Sequence, residues 1–232
     1  HFIGHMRHSV IIILITVISM LTVSCSTTRV LQDGEYRLTK NKIEVSNDKE
    51  FNPSPLSKYP KQNEALAWSP FMIVSNWSEG SGSGWDRFLR RIGKAPVVYD
   101  PDMVDSSIDN ITNHLEYLGY YGSSVNSEIS VKKKRVTVTY DVHLGSRFPI
   151  CDITYVLPKR GEFRQDFLRD TAELGITKVD YLSEAILETL SETSSARMRN
   201  LGYFDFSKNN YFFEADTLSI PDSAKLELII NE

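Results

Sequence analysis

The most regular pattern of apolar positions in the chain lies between Asp100 and Gly119. Apolar residues recur there at alternating steps of four and three, which places them on one stripe of an amphipathic helix; they are Val104, Ile108, Ile111, Leu115 and Leu118. Asp100 can cap this helix, and Pro101 suits its first turn. Gly119 can adopt the left-handed conformation that ends a helix. The pattern therefore predicts a helix that packs one face against a sheet or another helix.

After Gly119 the pattern changes to a period of two, which is typical of strands. The predicted strand 123–131 alternates Val125, Ile129 and Val131 with polar residues. The predicted return strand has its apolar residues on one face; they are Val136, Val138, Tyr140, Val142 and Leu144. The basic run Lys132–Arg135 is interpreted as a charged hairpin turn rather than as a site for lipid headgroups. We expect a half-buried hairpin.

The same order of elements is predicted a second time from residue 148 onward. A strand (148–157), a short helix ended by Gly175 (162–174), a long helix ended by Gly202 (180–201) and two hairpin strands (205–214 and 225–230) are expected. Leu118-Gly119-Tyr120-Tyr121 and Leu201-Gly202-Tyr203-Phe204 mark the same point of the two repeats. The sequence predicts an α+β fold with two tandem β-α-α-β-β domains, 33–145 and 146–232, each a three-stranded mixed sheet with two helices on one face.

One segment of the first repeat, 51–98, has no counterpart of its length in the second. It carries Trp68, Trp77 and Trp85 around a run of glycine and serine. Such a run is typical of a flexible tip, whereas buried tryptophans are more often packing anchors than a ligand platform. We interpret this segment as an insertion without a binding role.

The N-terminus has the order of an export signal. A basic stretch precedes an apolar run of fourteen residues, Val10–Val23, and small residues follow it. This run is shorter than the roughly twenty residues that a membrane-spanning helix needs. Residues 1–24 are therefore predicted to be a signal peptide with upstream residues. Leu21–Cys25 resembles a lipobox, which makes Cys25 the predicted site of lipid attachment and 25–32 a lipid-anchored linker; an ordinary cleaved signal is the alternative.

Composition and charge argue against several classes of function. A net charge of −4 offers no basic field for nucleic acid. Cys25 and Cys151 lie in unlike contexts, and neither His114 nor His143 has a partner at catalytic or metal-ligand spacing. The glycine-rich run 80–84 lacks the lysine of a phosphate loop. We expect no enzyme, no cofactor, no metal, and small convex domains without a deep pocket lined by paired acids or stacked aromatic rings.

Several stretches together resemble the N-terminal region of the BamA/TamA superfamily, in its lipoprotein (TamL-like) form. They are 31–36 leading into 40–43, 68–78 with 84–85, 91–100, and the repeated Leu-Gly-Tyr-aromatic signature. Lys94 departs from the family, which usually has Glu there. The resemblance implies POTRA domains, which are β-α-α-β-β units before a membrane barrel. A further POTRA unit and the barrel are expected after Glu232.

The resemblance also implies a role at the outer membrane, lipid-anchored and facing the periplasm. The expected partners are outer-membrane protein clients, the lipid of the outer membrane and a TamB-like periplasm-spanning protein. A small sheet leaves unpaired backbone groups at its edges, so clients are expected to bind by β-augmentation. In the family fold the second strand of each domain lies at the edge. The candidate residues are Ser124, Val125, Asn126, Ser127, Glu128, Ile129, Ser130, Phe206, Ser207, Lys208, Asn209, Asn210, Tyr211 and Phe212.

Two other functions remain open from the sequence. The first is a pore of the two-partner secretion type, which also uses paired POTRA units. The second is an unrelated surface lipoprotein with a ligand-binding or hydrolytic role. The second alternative would require a deep pocket, and the first would require a single dedicated client.

Overall fold

The computed structural model describes residues 31–63, 83–84, 87–88, 97–159, 161–169 and 180–231. The predicted signal peptide, Cys25, the three tryptophans and Gly175 lie outside these residues. No helix in the described ranges is both long enough and apolar enough to cross a membrane.

The chain forms two separate three-stranded sheets. The first contains β1 (Arg37–Val45), β2 (Ser124–Lys132) and β3 (Arg135–His143) in the order β1-β3-β2. The second contains β4 (Ile150–Val156), β5 (Tyr211–Asp216) and β6 (Ala224–Ile230) in the order β4-β6-β5. The helices whose full length falls in the described ranges are α1 (Pro101–Tyr117), α2 (Glu162–Arg169) and α3 (Glu184–Asn200), with 3₁₀ turns at Ser54–Lys58 and Lys208–Asn210. The predicted α+β fold with two tandem repeats is confirmed.

By their internal contacts, the residues group into two compact units. One unit is 1–41, 62–100 and 129–138, and the other is 42–61, 101–128 and 139–232. The second unit contains α1, the residues of the first hairpin outside 129–138, and the whole second repeat. The domain limits 33–145 and 146–232 remain predictions.

Helix α1 begins and ends where the sequence predicts. Pro101 occupies its first position, and Val104, Ile111 and Leu115 are buried along the predicted stripe. Gly119 has φ +88, the left-handed conformation expected after a helix. A Cβ atom at Gly119 would lie 2.3 Å from the carbonyl oxygen of Leu182. Glycine is therefore required here both for backbone conformation and for space.

The first hairpin is buried on one strand and exposed on the other. All five predicted apolar residues of the return strand are buried, and they run from Val136 to Leu144. In β2 only Val125 is buried, whereas Ile129 and Val131 are 45% and 53% exposed. The expectation of a half-buried first strand is therefore wrong for most of β2. The reason is position, because β3 is the central strand of its sheet and β2 is an edge.

The second sheet is mixed and carries its own core. Strand β4 pairs with β6 in parallel, and β5 pairs with β6 antiparallel in one continuous register from Tyr211↔Ile230 to Asp216↔Lys225. Helices α2 and α3 contribute apolar side chains to the core over this sheet. Its buried members are Leu157, Phe167, Leu190, Met198, Phe206, Tyr211, Leu228 and Ile230.

Helix α3 starts four residues later than the sequence predicts. Its N-cap is Ser183, whose hydroxyl accepts a hydrogen bond from the Ile186 amide at 3.3 Å. The residues before it are extended, because the Ile150 amide donates to the Asp180 carbonyl and the Leu182 amide donates to the Phe148 carbonyl. This bridge to the second sheet takes Asp180–Leu182 out of the helix.

Replacing Ser183 by alanine is expected to lower the free energy of unfolding by about 1 kcal/mol, because an amide of the first helical turn loses its acceptor. Thr189→Ala is the matched control. The Thr189 hydroxyl donates to the Ala185 carbonyl in the exposed helix interior, where alanine is the better helix former. Urea unfolding of the two variants measures the difference. Equal stability of both would show that the cap contributes nothing.

Candidate functional site

Two of the four outer strands are covered at their starts by other parts of the chain. Beside β1, the Leu38 amide donates to the Val97 carbonyl at 2.9 Å, and the Tyr99 amide donates to the Tyr36 carbonyl at 2.7 Å. Beside β4, the Ile150 amide donates to the Asp180 carbonyl at 2.7 Å. These edges have part of their backbone hydrogen bonds satisfied.

Strands β2 and β5 are the other two edges. Among the described residues, neither has a recorded strand partner beyond its central neighbour, β3 or β6. The predicted candidates Ser124–Ser130 all lie in β2, and all of them except Val125 are exposed. The structure therefore brings the first predicted segment to an open, solvent-exposed sheet edge.

The direction of the backbone groups in β5 follows from one hydrogen bond. The Asn231 amide donates to the Asn210 carbonyl at 3.0 Å, in register with the β5–β6 ladder. Backbone groups alternate in direction along an antiparallel strand. Phe212, Glu214 and Asp216 thus face β6, whereas Phe213 and Ala215 direct their amides and carbonyls to the open edge.

Most of the second predicted segment lies before the strand rather than in it. Phe206 is buried, and Lys208–Asn210 form a 3₁₀ turn. Ser207 and Asn210 close a capping box, in which the Ser207 amide donates to Asn210 Oδ1 at 3.0 Å. Only Tyr211 and Phe212 of this segment belong to β5. The prediction of an edge strand over Phe206–Phe212 is wrong for its first five residues, because the capping box favours a turn.

Lys208 is held away from the sheet edge by acidic residues of α3. Its Nζ atom lies 3.3 Å from Glu188 Oε1 and 3.1 Å from Glu192 Oε1. The hydrogen bonds to Glu192 and Glu188 raise the pKa of Lys208. The Tyr117 hydroxyl also donates to Glu188, at 3.0 Å. Lys208 is therefore part of a surface ion-pair cluster.

An aromatic cavity of about 370 Å³ lies directly before β5. It is lined by Phe163, Gly202, Tyr203, Phe204, Asp205, Phe206 and Asn210. Phe204 is 80% exposed at its rim, and the Tyr203 hydroxyl donates to Asp166 Oδ2 at 2.8 Å. The cavity is open to solvent, and Phe163 meets Tyr203 edge-on, so it is not the deep pocket with stacked rings that the unrelated-lipoprotein alternative requires. The sequence signal was the run of aromatic residues after Gly202, which we interpreted only as a repeat marker.

The inner face of β5 is fixed by its first residue. The Tyr211 ring is buried, and its hydroxyl donates to the Ser194 hydroxyl on α3. Burial raises the pKa of Tyr211 to about 12. The strand's position against the core is thus set by Tyr211, while its outer backbone stays open.

Asp216 fixes the turn that follows β5. Its Oδ1 atom accepts from the amides of Leu218 and Ser219 at 2.9 and 3.0 Å. Hydrogen bonds from Ser219, then from the Leu218 amide, lower the pKa of Asp216 from 3.8 to about 2. A depressed pKa stabilises the fold above the unfolded value, so this stabilisation is expected to be lost as pH falls from about 4 to about 2. Carboxyl ¹³C shifts of Asp216 measure the titration, and a midpoint near 3.8 would contradict the prediction.

The remaining candidate residues have structural surroundings. The His114 ring stacks on Tyr59 with centroids 4.1 Å apart, and burial and then Lys58 lower its pKa. The Cys151 thiol is a free, half-buried group 3.4 Å from the Ala224 carbonyl oxygen. Within the described residues, no three histidine, cysteine or acidic side chains are grouped to hold a metal ion.

Comparison with known proteins gives one match to a family model. The model described as "POTRA: Surface antigen variable number repeat" matches residues 41–145. The search of curated proteins found no match.

Among solved structures, BamA from Haemophilus ducreyi lacking POTRA domains 1–3 is 14% identical, with a TM-score of 0.41 over 85% of this chain and 29% of that chain. POTRA domains 1–2 of Omp85 from Anabaena are 11% identical, with a TM-score of 0.35 over 85% of this chain and 97% of that chain. CdiB from Acinetobacter baumannii is 12% identical, with a TM-score of 0.28 over 85% of this chain and 30% of that chain. The chain thus spans under a third of the BamA and CdiB chains. Residues 41–145 are thus similar to the POTRA family model.

Proposed function

We propose that this chain is the periplasmic binding module of an outer-membrane protein assembly factor. It receives segments of β-barrel clients by β-augmentation at β2 and β5. The observation that carries this proposal is the pair of open edges, one in each sheet, while the starts of β1 and β4 are covered. Main-chain hydrogen bonds give such an interaction affinity with little dependence on client sequence.

Strand β5 has the chemistry that an added strand needs. The outward backbone groups of Phe213 and Ala215 pair with the client, and Tyr211 holds the strand in place from inside. The exposed Phe212 ring packs against alternate client side chains on the solvent face. The aromatic cavity at the start of β5 receives an apolar or aromatic client side chain.

Membrane attachment is the second part of the proposal. The signal-like order of residues 6–26 and the lipobox-like sequence before Cys25 support a lipid on that thiol. More than one acyl chain is needed for stable anchoring. The anchor holds both sheets at the periplasmic face of the outer membrane, where clients arrive. A TamB-like protein is proposed as the partner that spans the periplasm.

The test is a titration of the ¹⁵N-labelled full chain with a ten-residue peptide of alternating apolar and polar residues, the pattern of a barrel strand. Amide shifts are expected at 124–132 and 211–216, with increased protection of the Phe213 and Ala215 amides. The same peptide with its two central residues replaced by proline is the control, since it cannot pair as a strand. Shifts scattered away from both edges, or the same shifts with the proline peptide, would reject β-augmentation.

A further inference from the structure

The tip of the first hairpin concentrates positive charge. Lys133 and Lys134 form a two-residue turn with φ of 51 and 57, and Lys132 and Arg135 flank it. Lys132, Lys133 and Arg135 are exposed. The whole chain carries a net charge of −4. The four cationic side chains at this hairpin tip therefore form a local charge opposite in sign to that of the chain. Lys134 Nζ pairs with the carboxylate of Asp33, whose Oδ1 atom lies 3.4 Å away.

Exposed apolar side chains lie beside these cations. Ile129 and Val131 point from β2 on the same face of the sheet, and both are exposed. Tyr36 and Val98, which are adjacent across the edge of β1, are also exposed. Basic residues next to exposed apolar and aromatic ones are typical of surfaces that bind the interface of a membrane.

The same tip is tied to the part of the chain that leads to Cys25. The Arg37 amide donates to the Lys134 carbonyl at 2.8 Å, and Lys134 Nζ donates to the Gln32 carbonyl at 3.4 Å. Leu31 is buried, so the chain is fixed from that residue onward. Five residues lie between Cys25 and Leu31, and the six Cα–Cα steps from one to the other span about 20 Å at most. An acylated Cys25 would therefore keep Leu31 within about 20 Å of the bilayer, and Lys134 of the hairpin tip is hydrogen-bonded to the next residue, Gln32.

The electrostatic potential at the hairpin tip is positive, which is the sign that attracts anionic lipid. Burial, and then the positive charge of Arg135, lower the pKa of Arg37 beneath the tip. Asp33 pairs with Lys134, and Glu35 accepts a hydrogen bond from the Gln32 amide at 2.8 Å. Lys132, Lys133 and Arg135 are left to face a partner. Lipid headgroups attract such cations within roughly one Debye length, about 8 Å.

We infer that the β2–β3 hairpin tip docks on the anionic headgroups of the membrane that holds the anchor. Lys132, Lys133 and Arg135 contact lipid phosphates, and Val131 enters the interface. The inference rests on the proposed acylation of Cys25. Docking orients β2 relative to the membrane, so that its open edge is presented next to the lipid surface into which clients insert.

The test uses the acylated full chain with Cys151→Ser and Val131→Cys, carrying an environment-sensitive fluorophore at position 131. Lipids with a nitroxide in the headgroup are expected to quench this fluorophore in vesicles that contain phosphatidylglycerol. The quenching is expected to be at least threefold stronger there than in vesicles of phosphatidylcholine alone. The triple variant Lys132→Glu, Lys133→Glu, Arg135→Glu is expected to lose the difference. The matched control Lys49→Glu, Lys61→Glu, Lys159→Glu changes the charge equally at other exposed positions and is expected to keep it.

Each outcome distinguishes the inference from the proposed function. A mass spectrum without acyl groups on Cys25 removes the anchor and overturns the inference with it. An acylated chain with an unquenched fluorophore, or equal quenching in both kinds of vesicle, overturns the inference alone and leaves peptide binding at β2 and β5 untouched. Inorganic phosphate and chloride are also compared at equal ionic strength. If phosphate releases the hairpin tip from the vesicles more than chloride does, the tip binds free phosphate, and membrane docking is overturned.

Discussion

Replacing Gly145 by alanine is expected to lower the free energy of unfolding by about 2–4 kcal/mol. A Cβ atom at this position would lie 2.0 Å from the Tyr121 carbonyl oxygen and 2.6 Å from the Ser123 amide nitrogen. Both are backbone atoms, so no side chain can rotate to make room. They are also held in place, because Tyr121 and Ser146 exchange two backbone hydrogen bonds of 2.9 and 3.0 Å. The substitution must therefore break this bridge or move the strand.

Thermal unfolding measures this effect. A loss of that size corresponds to a decrease in Tm of roughly 5–15 °C for a chain of this length. Gly84→Ala is the matched control, since a Cβ atom there meets nothing within 4 Å and no left-handed φ is required. Its effect is expected to stay within about 0.5 kcal/mol. A Gly145 variant as stable as the Gly84 variant would contradict the close approach that the structure shows.

Replacing Ala215 by proline is expected to weaken binding of the barrel-strand peptide at β5, followed by the amide shifts of residues 211–216, at least tenfold while leaving the fold intact. Ala215 directs its amide to the open edge of β5, and its side chain is exposed. Proline removes that donor and places its ring where the client strand would lie. Loss of one hydrogen bond and a steric obstacle together exceed the about 1.4 kcal/mol that a factor of ten requires.

Glu214→Pro is the contrasting variant, one residue away. The Glu214 amide faces β6 opposite Glu227, so proline there breaks the ladder and is expected to cost about 3 kcal/mol of stability. Circular dichroism and peptide titration separate the two effects. If Ala215→Pro binds the peptide as tightly as the unchanged chain, β5 is not the client edge, and β2 alone remains.

The elements of the fold were largely predictable because their signals are local. The apolar stripe of α1 from Val104 to Leu115 follows the period of a helix, and the alternation of apolar residues from Val136 to Leu144 follows the period of a strand. Pro101 and Gly119 mark the ends of α1 by backbone constraints of their own. These features need no knowledge of the rest of the chain.

The boundaries that failed depend on hydrogen bonds that the pattern of apolar residues does not show. Helix α3 begins at Glu184 rather than Asp180 because Asp180–Leu182 bridge to Phe148 and Ile150. The strand predicted from Asp205 begins at Tyr211 because Ser207 and Asn210 cap each other. In both places a hydrogen-bond partner, rather than the apolar pattern, sets where the element begins.

The sequence by itself determined two repeats of strand, helices and hairpin, since periodicity and chain-breaking residues are local properties. Only the tertiary structure decided which strand edges stay open, because an edge is defined by the neighbour that it lacks. The starts of β1 and β4 are covered by residues 97–99 and 180–182, whereas β2 and β5 have no such neighbour among the described residues. Ile129 and Val131 are exposed for the same reason, because they lie in an edge strand. The same alternation of apolar residues can occur in a central strand or in an edge strand, so the sequence does not distinguish the two.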